Sequence, residues 1–484
     1  MISVSTLKLF LFISFSCVLV ACGGSGSGSG SGSESSSQLS NSSNSISVSS
    51  SSHSSSTSVI TGFQKPFILF SSKNINTQLA GYTLNTNDKG ESLLAWSDIN
   101  SKYMRVIAGV KLYKDGGYSP VYHFSNPDHL ATSFDVSINN QGDVNFVWID
   151  KEDVDGAIEQ IWSRSISGSG DITPLARLDK LDSDPDIHGP KSLIFENGDA
   201  VVVWSQNRRL YSAFYKIGTG WTEPETIDEA IGNAISPVLG KDKYNNITVA
   251  WRQLIFGETP GYRQVVATNY FIADQGWAGV KYFKDSVKDF DNIVLTVSES
   301  GKAILGWTET GPAKNVYSSF FVPNVGWQEI KEHPIEKFLP AYKLTAKINS
   351  KDHAILGWKV GDNQLYVANY SPVSDWSEPK IFNADTNEKI GGYDLEIGES
   401  GIAMTAWSQG VYVTATYGNT VNLNIATYDP RLGWGGHKTI ISNPSTGGYG
   451  NPRIVLVEGA NIFVAWGEVT DMLEERIWIS RYFE

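Results

Sequence analysis

Residues 198–204 read Gly-Asp-Ala-Val-Val-Val-Trp: a turn residue, a short apolar run and, six positions after the turn residue, a tryptophan. The same arrangement occurs eight times, at residues 90–96, 142–148, 198–204, 245–251, 301–307, 352–358, 401–407 and 460–466. Successive tryptophans lie 47 to 59 residues apart. Self-similarity at such a period indicates a repeat architecture, in which each repeat is one supersecondary unit.

Each repeat carries signals for four short strands. The motif begins with Gly, Asn or Asp in seven copies, and these residues tolerate the positive φ that a tight hairpin turn requires. One apolar stretch precedes the turn, as at 342–348, and another follows the motif, as at 365–370. A fourth stretch starts with a second tryptophan in five copies, namely Trp221, Trp277, Trp327, Trp376 and Trp434. Four short antiparallel strands per repeat predict the blade of a β-propeller.

The strand that ends at the motif tryptophan is predicted to be buried on both faces. Its residues do not alternate between apolar and polar, as at 201–203, whereas a strand with one wet face would alternate. The residue before the tryptophan is always Ala, Val or Gly. We therefore expect a large side chain from the adjacent blade to fill the space beside it.

The two ends of the repeat region predict how the ring closes. The last unit has only three strand signals, near 453–457, 461–466 and 476–483, and one further strand signal at 66–71 precedes the first unit. Pairing that strand with the last unit leaves no exposed sheet edge. The prediction is an all-β, single eight-bladed β-propeller whose last blade is closed by the N-terminal strand. An open solenoid, or seven blades with an appended sheet, are the alternatives.

The N-terminal segment carries an export signal. Lys8 precedes an uncharged apolar run at 9–20, which is shorter than the roughly 20 residues needed to span a membrane. The run ends in Leu19-Val20-Ala21-Cys22, which resembles the lipobox of bacterial lipoproteins. The resemblance implies cleavage after residue 21, lipidation of Cys22 and, with the non-acidic Gly23, sorting to the outer membrane. An ordinary signal peptide that happens to contain cysteine is the alternative.

Three regions follow from this pattern: a lipoprotein signal peptide at 1–21, the lipidated Cys22 with a disordered Gly/Ser-rich tether at 22–60, and the propeller at 61–484. The tether composition cannot bury enough apolar surface to offset chain entropy. Both cysteines, Cys17 and Cys22, precede residue 61, so the predicted propeller has neither a disulfide nor a thiol catalyst. We expect a monomeric outer-membrane lipoprotein that faces the periplasm or the cell surface.

The net charge of the chain limits the kinds of molecule that we expect it to bind. The net charge of −13 and a sequence pI of about 5.1 disfavour nucleic acid, and contact with the membrane is expected through the lipid anchor only. A glycan, or an envelope or extracellular protein, remains as the predicted ligand.

The repeat pattern G-x-A-x-x-x-W, followed by a Y-x-A-x-Y-like strand and a G-W turn, resembles uncharacterised bacterial surface lipoproteins grouped with sialidase-like propellers. The resemblance covers 61–484 and implies fold and location. The sialidase family uses an arginine triad, a Tyr/Glu nucleophile pair and an acidic Asp, and its Asp-box reads S/T-x-D-x-G-x-T-W. Residues 86–90 match only the first half of that box, so no catalytic residue is assigned. A binding platform is preferred; a glycan-processing hydrolase or lyase and an envelope-assembly scaffold are the alternatives.

Blade topology predicts where a ligand binds. The turns between first and second strands and between third and fourth strands lie on one face, here called the short-turn face. The second-to-third loops and the connections between blades lie on the opposite, long-loop face, where variable loops on a rigid scaffold place function. Ligand-face candidates two residues past the motif tryptophan are Asp98, Asp150, Gln206, Gln253, Glu309, Gln409 and Glu468; the loop aromatics Tyr103, Tyr262 and Tyr412 are further candidates. The seven polar residues would bind cations or sugar hydroxyls, or simply accept loop N–H bonds.

One acidic cluster is a candidate Ca²⁺ site. Its residues are Asp182, Asp184 and Asp186 after the second repeat, with Asp153 and Asp155 in the preceding long loop. Ca²⁺ binds six to eight oxygen ligands, which alternating carboxylates can supply, although the glycine of the EF-hand loop is replaced by Ile187. Solvated acidic loops are the alternative.

Overall fold

A computed structural model describes residues 62–72, 81–102, 104–113, 117–152, 157–179, 187–229, 232–256, 262–283, 290–309, 315–335, 339–384, 388–411, 421–443, 451–457, 461–469 and 475–483. The chain divides into a unit of residues Met1–Ser51 and a unit of residues Ser52–Glu484. All the described residues lie in the second unit, so the predicted signal peptide, Cys22 and the tether lie outside them. Nowhere in the described ranges is there a helix with the length and hydropathy to cross a bilayer.

The described residues form eight antiparallel sheets, numbered as blades in chain order. Blade 8 contains the first two strands, β1 (Gly62–Phe63) and β2 (Phe67–Ser72). Blade 1 contains β3 (Tyr82–Thr86), β4 (Ser92–Ile99), β5 (Arg105–Leu112) and β6 (Tyr122–His123), and blade 2 contains β7 (His129–Ile138), β8 (Val144–Glu152), β9 (Gln160–Ile166) and β10 (Ala176–Arg177). Blade 3 contains β11 (Ile187–Ile194), β12 (Ala200–Gln206), β13 (Arg209–Lys216), β14 (Gly220–Trp221) and β15 (Glu225–Thr226), and blade 4 contains β16 (Asn233–Lys241), β17 (Ile247–Phe256), β18 (Tyr262–Ile272), β19 (Gly276–Trp277) and β20 (Lys281–Tyr282).

Blade 5 contains β21 (Phe290–Val297), β22 (Ala303–Glu309), β23 (Val316–Val322), β24 (Gly326–Trp327) and β25 (Lys331–His333), and blade 6 contains β26 (Ala341–Ile348), β27 (Ala354–Val360), β28 (Gln364–Ser371), β29 (Asp375–Trp376) and β30 (Lys380–Asn383). Blade 7 contains β31 (Lys389–Ile397), β32 (Ala403–Gly410), β33 (Val421–Asp429), β34 (Gly433–Trp434) and β35 (Lys438–Asn443). Blade 8 is completed by β36 (Arg453–Val457), β37 (Asn461–Val469) and β38 (Glu475–Phe483).

The first strand of every blade lies innermost and contacts the first strands of both neighbouring blades. The contacts run in sequence from β3 through β7, β11, β16, β21, β26 and β31 to β36, and β36 contacts β3. The ring is therefore closed, and the fold is an eight-bladed β-propeller, as the sequence predicts.

The last blade is built from both ends of the described region. β2 pairs antiparallel with β38, with Phe67 opposite Ile479, and β1 pairs with the end of the same strand, with Gly62 opposite Phe483. This confirms the predicted closure. The N-terminal strand covers the edge of β38 that would otherwise remain open to pairing with another chain.

The predicted hairpin turns have the expected backbone. Gly198 has φ of 83°, and the equivalent residues Gly90, Gly142, Asn245, Gly301, Asp352 and Gly401 also have positive φ. The eighth copy starts at residue 460, outside the described residues. Gly, Asn and Asp occur here because they reach this region at low cost.

All eight motif tryptophans are buried, which confirms their predicted role in the core. Each lies opposite a third-strand residue, and in four blades that partner is a stacked aromatic ring: Trp204–Tyr211, Trp307–Tyr317, Trp358–Tyr366 and Trp466–Trp478. Such pairs add to the stabilisation from burial alone.

The small residue before the tryptophan makes room for the neighbouring blade, as predicted. A Cβ added to Gly357 of blade 6 would lie 2.7 Å from Cδ1 of Leu395 in blade 7. A Cβ added to Gly306 of blade 5 would lie 3.0 Å from Cδ2 of Leu344 in blade 6. Side chains of successive blades thus interlock at the level of the motif.

Candidate functional site

The polar residues two positions past the motif tryptophans bond mainly within their own blades. Nε1 of the motif tryptophan donates to Asp150 at 3.0 Å, Gln206 at 3.1 Å, Gln253 at 2.9 Å and Gln409 at 3.0 Å. Residues i and i+2 share one face of a strand, which explains the repeated contact. Loop N–H groups were one of the two predicted sets of partners, and in these four blades the indole N–H of the motif tryptophan is a donor.

The other three candidates also have partners inside their blades. Glu468 accepts from Nε1 of Trp478 at 2.7 Å, and Glu309 accepts from the hydroxyl of Tyr317 at 3.4 Å. Asp98 accepts from the amide of Ile99 at 2.7 Å, and burial raises the pKa of its carboxyl. The structure therefore distributes the seven residues over seven blades and does not bring them to one point.

Several predicted ligand residues lie outside the described residues. These are Tyr103, Tyr412 and all five candidate calcium ligands, Asp153, Asp155, Asp182, Asp184 and Asp186. Tyr262 is the first residue of β18 and pairs with the exposed Phe256, the last residue of β17. Within the described ranges, no three His, Cys, Asp or Glu side chains are grouped to hold a metal ion. The calcium site stays a prediction.

A feature that the sequence argument missed surrounds the channel mouth. In six blades the first strand carries a β-bulge near its long-loop end, within 132–134, 188–191, 235–238, 290–293, 342–345 and 390–393. The bulge residues Ser133, Gly189, Ser236 and Lys343 have φ between 40° and 56°, and the three that are not glycine are exposed. Bulges re-aim side chains, and backbone strain of this kind clusters at functional sites.

The channel mouth has a cationic sector on blades 6 to 8, formed by Lys343, Lys359, Lys389 and Arg453. Burial and the charge of Arg453 lower the pKa of Lys343. Lys389 forms a salt bridge of 2.7 Å with Asp362. Among the described residues, neither Lys343 nor Arg453 forms a salt bridge. The ammonium group of Lys343 donates to the carbonyl of Gly391 at 3.4 Å, and Asp394 lies beside Arg453, where its carboxylate accepts from the amide of Ile454 at 3.1 Å.

Lys359 is buried at the base of this sector. Its ammonium group donates to the carbonyl oxygens of Ile390 and, at 3.1 Å, of Gly391, and it lies 5.0 Å from the ring centroid of Tyr342. Burial, together with the neighbouring Lys343, lowers its pKa to about 8. Lys359 thus holds the bulge of blade 7 in place.

Two tyrosines at the mouth have their hydroxyls engaged by the backbone. The Tyr82 hydroxyl donates to the carbonyl of Asn451 and accepts from the amide of Gly467 at 3.0 Å, and burial raises its pKa to about 12. The Tyr393 hydroxyl is shared between the carbonyls of Lys343 and, at 2.6 Å, Gly357, and burial raises its pKa too. Both groups stay protonated, so they position the mouth and are poorly suited to act as nucleophiles.

A histidine–aspartate pair lies at the long-loop end of blade 2. Nδ1 of His129 contacts Oδ2 of Asp150, whose other oxygen accepts the indole N–H of Trp148. His129 is the first residue of β7 and remains partly exposed. A carboxylate on Nδ1 fixes the orientation of an imidazole, as in general-base catalysis.

A cavity of about 340 Å³ lies away from the channel mouth, between blades 5 and 6, and its lining includes Ser318, Phe320 and Trp376. The hydroxyl of Ser318 lies 2.8 Å from Nε2 of His333. Both residues are buried, and burial lowers the pKa of His333 to about 4. The ring of His333 also packs against Trp358 and Trp376 of blade 6, so this Ser–His contact belongs to the packing between blades.

No protein-family model and no curated protein sequence matches this chain. Among solved structures, the polysaccharide lyase Uly1 aligns with 9% identity and a TM-score of 0.45, over 85% of this chain and 91% of the lyase. A variant of the Aleuria aurantia lectin AAL, in complex with a fucose–GlcNAc ligand, aligns with 12% identity and a TM-score of 0.36, over 66% and 98%. A puromycin-hydrolysing peptidase of Mycobacterium tuberculosis aligns with 10% identity and a TM-score of 0.44, over 81% and 59%. At these values the alignments transfer no activity to this chain.

Proposed function

We propose that this protein is a membrane-anchored, exported lipoprotein whose propeller binds an acidic glycan at the channel mouth on its long-loop face. The observation that carries the proposal is the cationic sector: the ammonium groups of Lys343 and Lys359 both donate to the carbonyl of Gly391, and neither Lys343 nor Arg453 forms a salt bridge among the described residues. Membership among the surface lipoproteins that the repeats resemble, and lipidation at Cys22, belong to the same proposal.

Electrostatics favours an anionic ligand at this position. Two like charges at the mouth repel each other, and a carboxylate or sulfate between them would remove that repulsion. A guanidinium also offers two parallel N–H donors to such a group, which adds orientation to affinity. Since the whole chain carries a net charge of −13, a local cationic sector would direct an acidic ligand to this one place.

The bulges supply the complementary contacts for a sugar. Ser133 and Ser236 are exposed and present hydroxyls at equivalent places in blades 2 and 4. Such groups both donate and accept hydrogen bonds, as sugar hydroxyls do. Two exposed serines near the mouth, with cations on the other side of the ring, fit a polar, acidic saccharide better than an apolar protein surface.

The test is a glycan array probed with the full chain in detergent, with neutral, uronic-acid and sulfated glycans compared. Arg453→Gln and Lys343→Gln should each weaken binding to acidic glycans by about 10-fold or more, since a hydrogen bond to a charged group contributes roughly 1.5–3 kcal/mol. Lys102→Gln is the matched control, because Lys102 lies on the same face and pairs with Asp128. Equal binding by all three variants, or no binding to any glycan, would overturn the proposal.

The same array decides whether calcium takes part. Repeating the measurement with a chelator tests the predicted ligands Asp153, Asp155, Asp182, Asp184 and Asp186, since removal of a structural Ca²⁺ would weaken binding. If the chelator leaves glycan binding unchanged, calcium takes no part in it, and the cationic sector alone supplies the ionic contacts to the glycan.

A glycan-processing enzyme is the second candidate, and the His129–Asp150 pair is the observation that favours it. The exposed nitrogen of His129 would take a proton from a bound sugar while Asp150 stabilises the imidazolium. Incubation with acidic polysaccharides, followed by assay of new reducing ends, tests this directly. Product formation that His129→Gln abolishes, without loss of glycan binding, would establish the enzyme; no product would leave the binding platform.

A further inference from the structure

Four turns on the short-turn face end in highly exposed aliphatic side chains. Val373 is 96% exposed, Leu432 84%, Val325 71% and Ile217 64%. Each lies between the third and fourth strands of its blade, in blades 6, 7, 5 and 3. An isolated exposed apolar residue is ordinary, but four at one topological position on one face form a shared surface feature.

The described chain also begins on this face. Gly62 pairs with Phe483, and Phe63 with Tyr482, which in turn lies opposite Ile462. Ile462 is near the start of β37, directly after the turn between the first and second strands of blade 8. The described part of the chain therefore enters the propeller at the short-turn face, where the predicted tether would connect to it.

We propose that the short-turn face docks on the surface of a lipid bilayer, with the aliphatic turns inserted among the headgroups and the channel mouth pointing away. The inference rests on the lipid anchoring in the proposed function. If the tether predicted at 22–60 is a flexible coil, its mean span would be roughly 35 Å, so the anchor would keep this face close to the membrane. A high local concentration lets weak contacts suffice.

The form of the surface favours lipid over a protein partner. The aliphatic tips stand on separate blades, whereas a stable protein interface needs one contiguous, complementary patch. A fluid bilayer adapts to separated tips, and full burial of a Val, Leu or Ile side chain contributes about 1.5–3 kcal/mol. Carboxylates support the same turns, since Asp199 accepts from the amide of Ile217 and Asp429 from that of Arg431, so the expected surface is zwitterionic.

Single-cysteine labelling tests the orientation cleanly, because residues 61–484 contain no cysteine. Val373→Cys and Leu432→Cys would carry an environment-sensitive fluorophore on the short-turn face, and Lys102→Cys would carry it on the long-loop face. The labelled, lipidated chain is reconstituted into phosphatidylcholine vesicles, with and without phosphatidylglycerol. We expect a blue shift and protection from aqueous quencher at 373 and 432, none at 102, and smaller effects with phosphatidylglycerol.

Each further outcome bears on one proposal. If the chain floats with the vesicles but the fluorophores at 373 and 432 show no blue shift, or only that at 102 does, the proposed docking face is wrong. The proposed lipid anchoring is unaffected by that outcome. Failure to float contradicts anchoring; the non-lipidated Cys17→Ser/Cys22→Ser chain, labelled at the same positions and mixed with excess vesicles, then decides the docking face by itself. In the non-lipidated chain, the triple change Val325→Ser/Val373→Ser/Leu432→Ser should abolish vesicle contact while keeping glycan binding.

Discussion

Nε1 of Trp251 donates a hydrogen bond of 2.9 Å to Oε1 of Gln253, two residues further along β17. The same contact occurs at Trp148, Trp204 and Trp407 with the acceptor two positions on. The indole N–H groups of Trp96, Trp358 and Trp466 are buried without a partner. In blade 6 Val360 stands where the acceptor would be, whereas Asp98 and Glu468 in blades 1 and 8 accept from other groups. The repeat thus contains its own comparison between a satisfied and an unsatisfied indole.

Removing the acceptor should destabilise blade 4. Gln253→Leu keeps the side-chain volume but leaves the buried indole N–H of Trp251 unpaired, which costs about 1–3 kcal/mol. Urea unfolding followed by tryptophan fluorescence measures the loss. The double change Trp251→Phe/Gln253→Leu, which removes donor and acceptor together, is the matched control. It should lower the free energy of unfolding by no more than Trp251→Phe alone does.

Supplying an acceptor in blade 6 should have the opposite effect. Val360→Gln places an amide oxygen two residues past Trp358, and the new hydrogen bond should stabilise the fold by about 0.5–1.5 kcal/mol. Val360→Leu, which adds volume without an acceptor, is the control and should not stabilise. Equal effects of the two variants would assign the change to packing.

The close approach of blades 7 and 8 should make one glycine irreplaceable. A Cβ added to Gly392 would overlap the side chain of Asn451 and lie 2.5 Å from its Cα, so the backbone of the adjacent blade must move. Gly392→Ala should cost about 1–3 kcal/mol in the free energy of unfolding. At Gly398 the nearest atoms to an added Cβ are 3.7 Å away, so Gly398→Ala should leave stability nearly unchanged.

The buried His333 should make the propeller sensitive to acid. Its pKa is lowered to about 4 in the folded protein by burial, against about 6.5 in the unfolded chain. Between these values the unfolded chain binds more protons, so stability is full above pH 6.5 and falls by roughly 3 kcal/mol as the pH drops towards 4. Thermal unfolding at pH 7, 5.5 and 4.5 should show this loss in the wild type, and His333→Gln should reduce it. An exposed control, His188→Gln, should keep the wild-type profile.

Binding at the channel mouth should depend on salt. A cationic sector that holds an acidic glycan is screened with a Debye length of about 8 Å at physiological ionic strength and about 3 Å at 1 M. Raising sodium chloride from 0.05 to 0.5 M (about 10-fold) should weaken binding to the wild type more than to Arg453→Gln. Parallel lines for the two proteins in a plot of log Kd against log salt would contradict a role for Arg453.

Much of the fold could be predicted from the sequence because the information is local and repeated eight times. The turn residue, the doubly apolar strand and the tryptophan each report a backbone or burial requirement that holds within a few residues, such as the positive φ at Gly198 or the small Gly357 before Trp358. The unpaired strand signal at 66–71 and the three-stranded last unit then predict closure, which the pairing of Phe67 with Ile479 confirms.

The site could be predicted less well, because side-chain partners depend on the neighbouring strand and blade. Gln206 and Gln253 read as candidate ligands, yet both accept from a tryptophan of their own strand. The bulge at Lys343 had only a weak local signal, since similar positions read Gly-Pro, Ser-Pro or Gly-Gly in other blades.

The sequence by itself determined the number of blades, the buried tryptophans and the split between short turns and long connections, because those follow from local conformational preference and the period of the repeat. Only the tertiary structure decided which charges meet. Lys343 and Arg453 are separated by more than a hundred residues, yet the charge of Arg453 acts on Lys343 because the closed ring places blades 6 and 8 on either side of the glycine-rich bulge of blade 7. Closure likewise places Gly62 beside Phe483 on the face that carries the exposed aliphatic turns, since strand pairing joins the ends of the described chain regardless of their distance in sequence.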